Sequence, residues 1–205
     1  MKSLELFAGS RSFSKVAEDK GFTTFSSDWK AFEGIDLVCD ILEFNPEDVP
    51  FVPDVIWASP PCTFFSVASI GKHWNKDNTP KTKEAEYGVK VAKSTKRIIE
   101  HFLSKNPNLK FYIENPRGKL RKLSIYDDFI RHTVTYCQYG DTRMKPTDIW
   151  TNDRRWSPRP MCKNGDPCHT AAPRGSSTGT QGLKDNYLRS IVPEDLCCEI
   201  VELNM

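Results

Sequence analysis

No run in this chain approaches the ~18 consecutive apolar residues that a membrane span needs, so a bilayer protein is not expected. No basic stretch followed by an apolar run opens it, and a secretory leader is not expected either. A disulfide framework is also missing. The seven cysteines, at 39, 62, 137, 162, 168, 197 and 198, are odd in number and not compactly spaced, which fits a reducing, cytoplasmic compartment. There is no internal repeat. Fourteen prolines and eleven glycines exclude one long helix, and 205 residues allow one domain with at most a small appendage.

Net charge is small as well, +2, but it hides an asymmetry. Residues 1–60 carry −6, residues 61–114 carry +5, residues 115–175 carry +6 and residues 176–205 carry −3. A basic middle on an acidic frame suits a polyanion on one face. It is equally read as a solvated, lysine-rich helix near residues 81–97.

Short apolar runs alternate with helical patterns. Ser3–Phe7, Phe22–Ser27, Ile35–Val38, Asp54–Ala58, Leu109–Ile113, His132–Tyr136 and Asp148–Thr151 read as strands. Phe13–Lys20, Thr82–Ser104 and a final helix opened by Pro193 read as helices. This order predicts an α/β fold with a mostly parallel sheet covered on both faces. Ligands of such sheets bind at the carboxyl ends of the strands. Those ends carry Ala8-Gly9, Asp28, Asp40, Ser59-Pro60-Pro61-Cys62 and Glu114-Asn115.

The residue types at these ends have chemical uses. Gly9 lets backbone amides approach a ligand. Asp28 stands where nucleotide-binding sheets place an acid for ribose hydroxyls. Asp40 can accept from an adenine amino group, or simply cap a helix before Ile41. Cys62, stiffened by two prolines, offers a soft nucleophile; the alternative is a small buried hydrophobe. Glu114 beside such a cysteine can hold a polar heterocycle.

The set resembles the DNA cytosine-5 methyltransferases. Leu6-Phe7-Ala8-Gly9 resembles their first motif, Pro61-Cys62 with Ser66 their Pro-Cys motif, and Glu114-Asn115 their Glu-Asn motif. Tyr139-Gly140 with Arg143, Lys145 and Thr147 resembles their Gln-x-Arg-x-Arg segment. The motifs follow in order from residue 4 to about 152. The resemblance implies a Rossmann-like, S-adenosylmethionine-dependent methyltransferase fold. It also implies methyl transfer to carbon 5 of cytosine through a covalent cysteine adduct at carbon 6, with the target base flipped out of DNA.

On that resemblance Cys62, Glu114, Asn115 and Arg143 are the expected catalytic residues. Phe7, Ala8, Gly9, Ser10, Asp28, Trp29, Asp40, Ile41, Ser59 and Pro60 are expected at the cofactor, S-adenosyl-L-methionine. Phe64, Ser66, Lys72, Lys145, Arg154, Arg155 and Arg174 are expected to meet DNA. The loop after Cys62, with Phe64, Phe65, His73 and Trp74 among Lys72 and Lys76, is expected to close over the duplex or to be a mobile loop with aromatics packed beneath. The implied organisation is a catalytic domain at 1–152, an irregular target-recognition segment at 153–182 and a closing helix within 183–205. The expected protein is a monomer that acts on DNA and meets no membrane, in the cytoplasm of a bacterium or a phage-infected host.

The chain departs from the family in places. Few glycines follow Gly9, Pro116 stands where valine is usual, and the recognition region is short. A short or relaxed target site is therefore expected. Amino-methylation of cytosine or adenine is one alternative, since those enzymes share Ser59-Pro60-Pro61 but end the motif in an aromatic residue rather than Cys62. A non-catalytic nucleic-acid-binding relative is another. Cys162, Cys168 and His169 are zinc-type ligands, but their spacing is not that of a standard finger and a fourth would have to come from Cys137 or His132; they are read instead as structural or surface residues, and no metal is expected.

Overall fold

The computed structural model describes residues 1–171, 183 and 185–205. Seven strands form one sheet: β1 (Lys2–Leu6), β2 (Thr23–Asp28), β3 (Leu37–Val38), β4 (Val55–Ala58), β5 (Lys110–Pro116), β6 (Ile130–Thr135) and β7 (Pro146–Thr151). The helices are α1 (Ser12–Asp19), α2 (Ile70–His73), α3 (Lys83–Lys105), α4 (Asn186–Ser190) and α5 (Glu194–Leu203). The spatial order is β3-β2-β1-β4-β5-β7-β6. The first five strands are parallel, and β7 is inserted antiparallel between β5 and β6. This is the expected α/β architecture, a mostly parallel sheet covered on both faces.

Alternation along the strands explains the layers. Side chains of a strand point to opposite faces in turn. Ile56 and Ala58 join Leu4, Leu6, Phe111 and Ile113 under α3. Val55 and Trp57 join Tyr112 and Ile149 under α1 and α5. Both faces are apolar, as a sheet buried on two sides requires. The long helix starts at Thr82, whose hydroxyl accepts from the Ala85 amide. Pro193 precedes α5 as its cap residue.

The antiparallel β7 decides where the following residues go. Thr147 pairs with Pro116 at the carboxyl end of β5, and Thr151 pairs with Tyr112. The chain therefore leaves β7 at the opposite end of the sheet. There Asn152 binds Phe111 and Leu109 of the β5 start, and Asp153 accepts from the Tyr112 hydroxyl. Residues 152–171 hold no helix or strand. They are nevertheless packed down: Trp156 is buried and its indole N–H donates to Glu199 of α5.

Candidate active site

Most of the expected cofactor residues lie at the ends of β1, β2 and β4, whereas Asp40 and Ile41 follow β3. The chain turns sharply after β1, with Phe7 at φ 59°, Gly9 at 41° and Arg11 at 54°. Left-handed conformations in non-glycine residues cost energy and persist where surrounding structure holds them. Here the Gly9 amide donates to Asp28 Oδ2 at 3.0 Å and the Ala8 amide to the Ser27 carbonyl. Burial pushes the Asp28 carboxyl above its usual range, against hydrogen bonds from the Lys30 and Gly9 amides. Next to it Trp29 leaves 65% of its surface exposed, an open ring at the rim. Asp40 accepts from the Leu42 amide at 2.9 Å and the Tyr87 hydroxyl at 2.8 Å, so it caps a turn rather than a helix. Ile41 is buried in the core. The Ser59 amide donates to Leu6, joining the two strand ends.

The second group stands at the ends of β4 and β5. Asn115 Nδ2 donates to the Pro60 carbonyl at 2.7 Å and locks the Glu-Asn segment to the Pro-Pro-Cys turn. Glu114, 5% exposed, accepts at Oε1 from the Tyr136 hydroxyl at 2.7 Å. Lys145 Nζ lies 3.8 Å from the same oxygen and 4.6 Å from the Tyr136 ring centroid. Partly buried Cys62 sits in their field. Burial pushes its thiol up, Lys145 pulls it down, Glu114 pushes it up and Arg189 pulls it down. Cys62, Glu114 and Lys145 are thus one electrostatic unit.

Arg143 departs from its expected role. All five of its N–H donors are taken: Nε by Asp141, Nη1 by the Leu188 and Arg189 carbonyls, and Nη2 by Asp141 and the Ile191 carbonyl. It is a strut between the 141–145 turn and the segment before α5. Lys145, expected at DNA, is instead the cation beside Glu114.

Arg154 and Arg155 also fall elsewhere. The antiparallel course of β7 carries them to the far end of the sheet from Cys62. Arg155 there pairs with Asp153 and Asn204 and lines a depression with Met1, Asp54 and Lys110. Arg174 lies outside the described residues.

The loop after Cys62 is packed, not free. Phe65, Trp74 and His73 are buried. The Trp74 indole donates to the Phe64 carbonyl, and His73 Nδ1 bonds the Thr82 hydroxyl. Two glycines admit this packing. A Cβ on Gly88 would stand 2.8 Å from Phe64 Cβ, and one on Gly118 only 2.2 Å from the Phe65 carbonyl oxygen. Phe64 therefore lies on α3 and Tyr87, not on an open DNA face. Ser66 remains partly exposed and Lys72 exposed on this loop, with Val67 at 71% exposure between them.

No protein-family model matches the chain. Over 224 aligned positions it is 27% identical to the probable DNA (cytosine-5)-methyltransferase of Frog virus 3 (isolate Goorha), covering 99% of this chain and 100% of that protein. The chain is a whole-length relative of that protein. Solved structures similar to it include the Entamoeba histolytica methyltransferase EhMeth (13% identity, TM-score 0.49, 74% of this chain and 52% of that one). A DNMT2 of Spodoptera frugiperda gives 18% identity and a TM-score of 0.46, over 76% of this chain and 51% of that one. The chain spans about half the length of these solved structures.

Two residues of the site were not legible as such. Tyr136 follows β6 and reaches Glu114 only once β7 has been inserted beside β5. Glu5 lies on β1 beneath α1 and accepts from the Phe13 and Ser14 amides at 3.3 and 2.7 Å. Burial pushes its carboxyl up to about 7, against those hydrogen bonds. Glu5 thereby fixes the helix that follows the β1 turn.

Proposed function

We propose that the protein transfers a methyl group from S-adenosylmethionine to carbon 5 of cytosine in DNA. The observation that carries this reading is the convergence of Cys62, Glu114 and Lys145 at adjacent strand ends, locked by Asn115 on Pro60. The whole-length relative named for cytosine-5 methylation supports it.

Carbon 5 of cytosine is a poor nucleophile. Attack of the Cys62 thiolate on carbon 6 turns the ring into an enamine-like species that is nucleophilic at carbon 5. Glu114 bonds ring nitrogen 3 and the exocyclic amine, and stabilises the ring as nitrogen 3 gains proton character. Tyr136 and Lys145 orient Glu114, and Lys145 favours the thiolate of Cys62. Loss of the carbon-5 proton and of the thiolate then frees the base.

The strand ends of β1 and β2 suit the methyl donor. A Cβ on Gly9 would only touch Asp28 Oδ2 at 3.9 Å, but its φ of 41° disfavours any side chain, so glycine keeps the backbone bare at this turn. Asp28 suits ribose hydroxyls, and the exposed Trp29 ring suits a purine face. S-adenosylmethionine, when bound, supplies the methyl group. Exposed Lys72 and the Ser66–Val67 tip of the Cys62 loop are the DNA-facing parts of this site.

The test is methyl transfer from labelled S-adenosylmethionine to DNA by the wild type, Cys62→Ala and Glu114→Gln. Activity is expected in the wild type alone, with the label on carbon 5 by mass spectrometry of the nucleosides. Label on an exocyclic amine would replace this reading by amino-methylation.

A further inference from the structure

The strongest unassigned chemistry lies at the β6 edge of the sheet. Cys137 sits on the 3-10 turn Tyr136–Tyr139 that follows β6. Cys162, Cys168 and His169 belong to the irregular stretch after β7. The chain brings them together from two directions. After crossing the far end of the sheet, it climbs back along α5. Arg159 straps it there to Glu199, Asp195 and the Gln138 carbonyl. The Cys162 amide then donates to Thr135 Oγ1 at 3.0 Å, and the Thr170 amide to the Thr142 carbonyl at 2.9 Å.

The four ligand atoms all lie within 4.8 Å of one another. Cys137 and Cys162 Sγ are 3.0 Å apart, and Cys137 and Cys168 Sγ 3.7 Å. His169 Nδ1 lies 3.7 Å from Cys162 Sγ and 3.6 Å from Cys168 Sγ. A tetrahedral zinc ion with Zn–S near 2.3 Å and Zn–N near 2.0–2.1 Å gives ligand–ligand edges of roughly 3.5–3.8 Å. Three of these four separations fall there. Gln138 Nε2 stands 3.4 Å from Cys168 Sγ, as an outer donor to a thiolate. His132, the other candidate fourth ligand, packs instead edge-on against Trp156.

We propose that Cys137, Cys162, Cys168 and His169 bind one structural zinc ion. Three thiolates and one imidazole are a soft donor set of the closed, four-ligand kind that holds structure rather than performs chemistry. A disulfide between Cys137 and Cys162 would account for two of the groups and leave Cys168 and His169 converging on the same point without cause. The ion would clamp the stretch after β7 to the turn that begins with Tyr136, the donor to Glu114. This assignment does not depend on the methyl-transfer reading.

The test uses the full chain, expressed with zinc and purified under reducing conditions. Elemental analysis is expected to find about one zinc per chain. Cys162→Ser and Cys168→Ser should each lose most of it, while His169→Cys and the control Cys198→Ser should retain it. Should the serine variants fail to fold, the wild type still decides the matter. Cobalt exchanged for the metal should show the visible bands of a tetrahedral thiolate site. A strong chelator should then open three further thiols, those of Cys137, Cys162 and Cys168, to alkylation and lower the melting temperature. Protein that carries no metal and takes up no cobalt overturns the proposal. So does a metal-free native protein with Cys137 and Cys162 joined in a disulfide.

Discussion

Replacing Lys145 by methionine removes one charge and keeps the aliphatic stem. Its Nζ lies 3.8 Å from Glu114 Oε1, with both side chains nearly buried. Two unit charges at that distance attract by about 4 kcal/mol at an effective dielectric near 20. Desolvation of both groups offsets much of this. We expect a net loss of about 2 kcal/mol at the step in which Cys62 and Glu114 act together, a fall of about 30-fold in kcat/KM. The Cys62 thiol loses the cation that pulls it down, so the rising limb of the pH–rate profile should move to higher pH. Lys145→Arg, which restores the charge, should recover most of the rate. Arg143→Met is the contrast. Its guanidinium spends five donors on Asp141 and three carbonyls, so its loss should cost about 3 kcal/mol of stability. That lowers the melting temperature by about 6–12 °C for a chain of this size, with little change in rate per folded molecule. The assays are methyl transfer to DNA and thermal melting on the same preparations. A Lys145→Met variant with full turnover, beside an Arg143→Met variant that melts normally and is inactive, would refute the assignment.

Glu5 makes stability depend on pH. Unfolded, it ionises near 4.5; folded, it keeps its proton to about 7. Between those values the native state binds more protons, so its stability falls as pH rises, by about 3 kcal/mol in all. In Glu5→Gln that part of the slope should vanish from melting curves taken between pH 4.5 and 8; an unchanged slope would contradict the burial argument. Gly118→Ala would put a Cβ 2.2 Å from the Phe65 carbonyl oxygen. It should lower the reactivity of Cys62 toward iodoacetamide or methyl transfer at least tenfold, and normal rates would show that the loop relaxes freely. Arg154→Ala and Arg155→Ala should leave DNA affinity at low salt within twofold, because both residues lie at the far end of the sheet. Lys72→Ala should weaken it and reduce the salt dependence. The opposite pattern in a filter-binding titration would place DNA on the other side.

The fold was legible because its strands are short apolar runs bounded by glycine, proline or acids, and because their ends carry the polar residues. Val55–Ala58 and Lys110–Pro116 are of this kind; Cys62 lies four residues past the first, and Glu114 near the end of the second. Direction within the sheet was not legible. Nothing in Pro146–Thr151 says that it runs antiparallel, yet that choice sends Arg154 and Arg155 away from the site and brings Tyr136 into it. The roles of Arg143 and Lys145 were misplaced for a similar reason. Two cations two residues apart look alike until Asp141 and the Leu188 and Ile191 carbonyls hold Arg143, while Lys145 shares the Arg189 carbonyl and faces Glu114. The aromatics after Cys62 have the composition of a DNA-facing loop. The spaces that bury them are made by Gly88 and Gly118, which belong to other elements. The choice between Cys137 and His132 beside Cys162 was open for the same reason, since only the fold brings Cys137 across from before β7.

The central claim is that Cys62 attacks carbon 6 of the base. It is tested most directly with DNA carrying 5-fluorocytosine, incubated with the protein and S-adenosylmethionine. After methyl transfer, fluorine occupies the place of the proton that must leave carbon 5, so the thiolate cannot be expelled. A denaturant-stable complex is expected, with the nucleotide on the peptide that contains Cys62, and none with Cys62→Ser. Methylation of ordinary DNA without any trapped complex, or by the serine variant, would contradict the account.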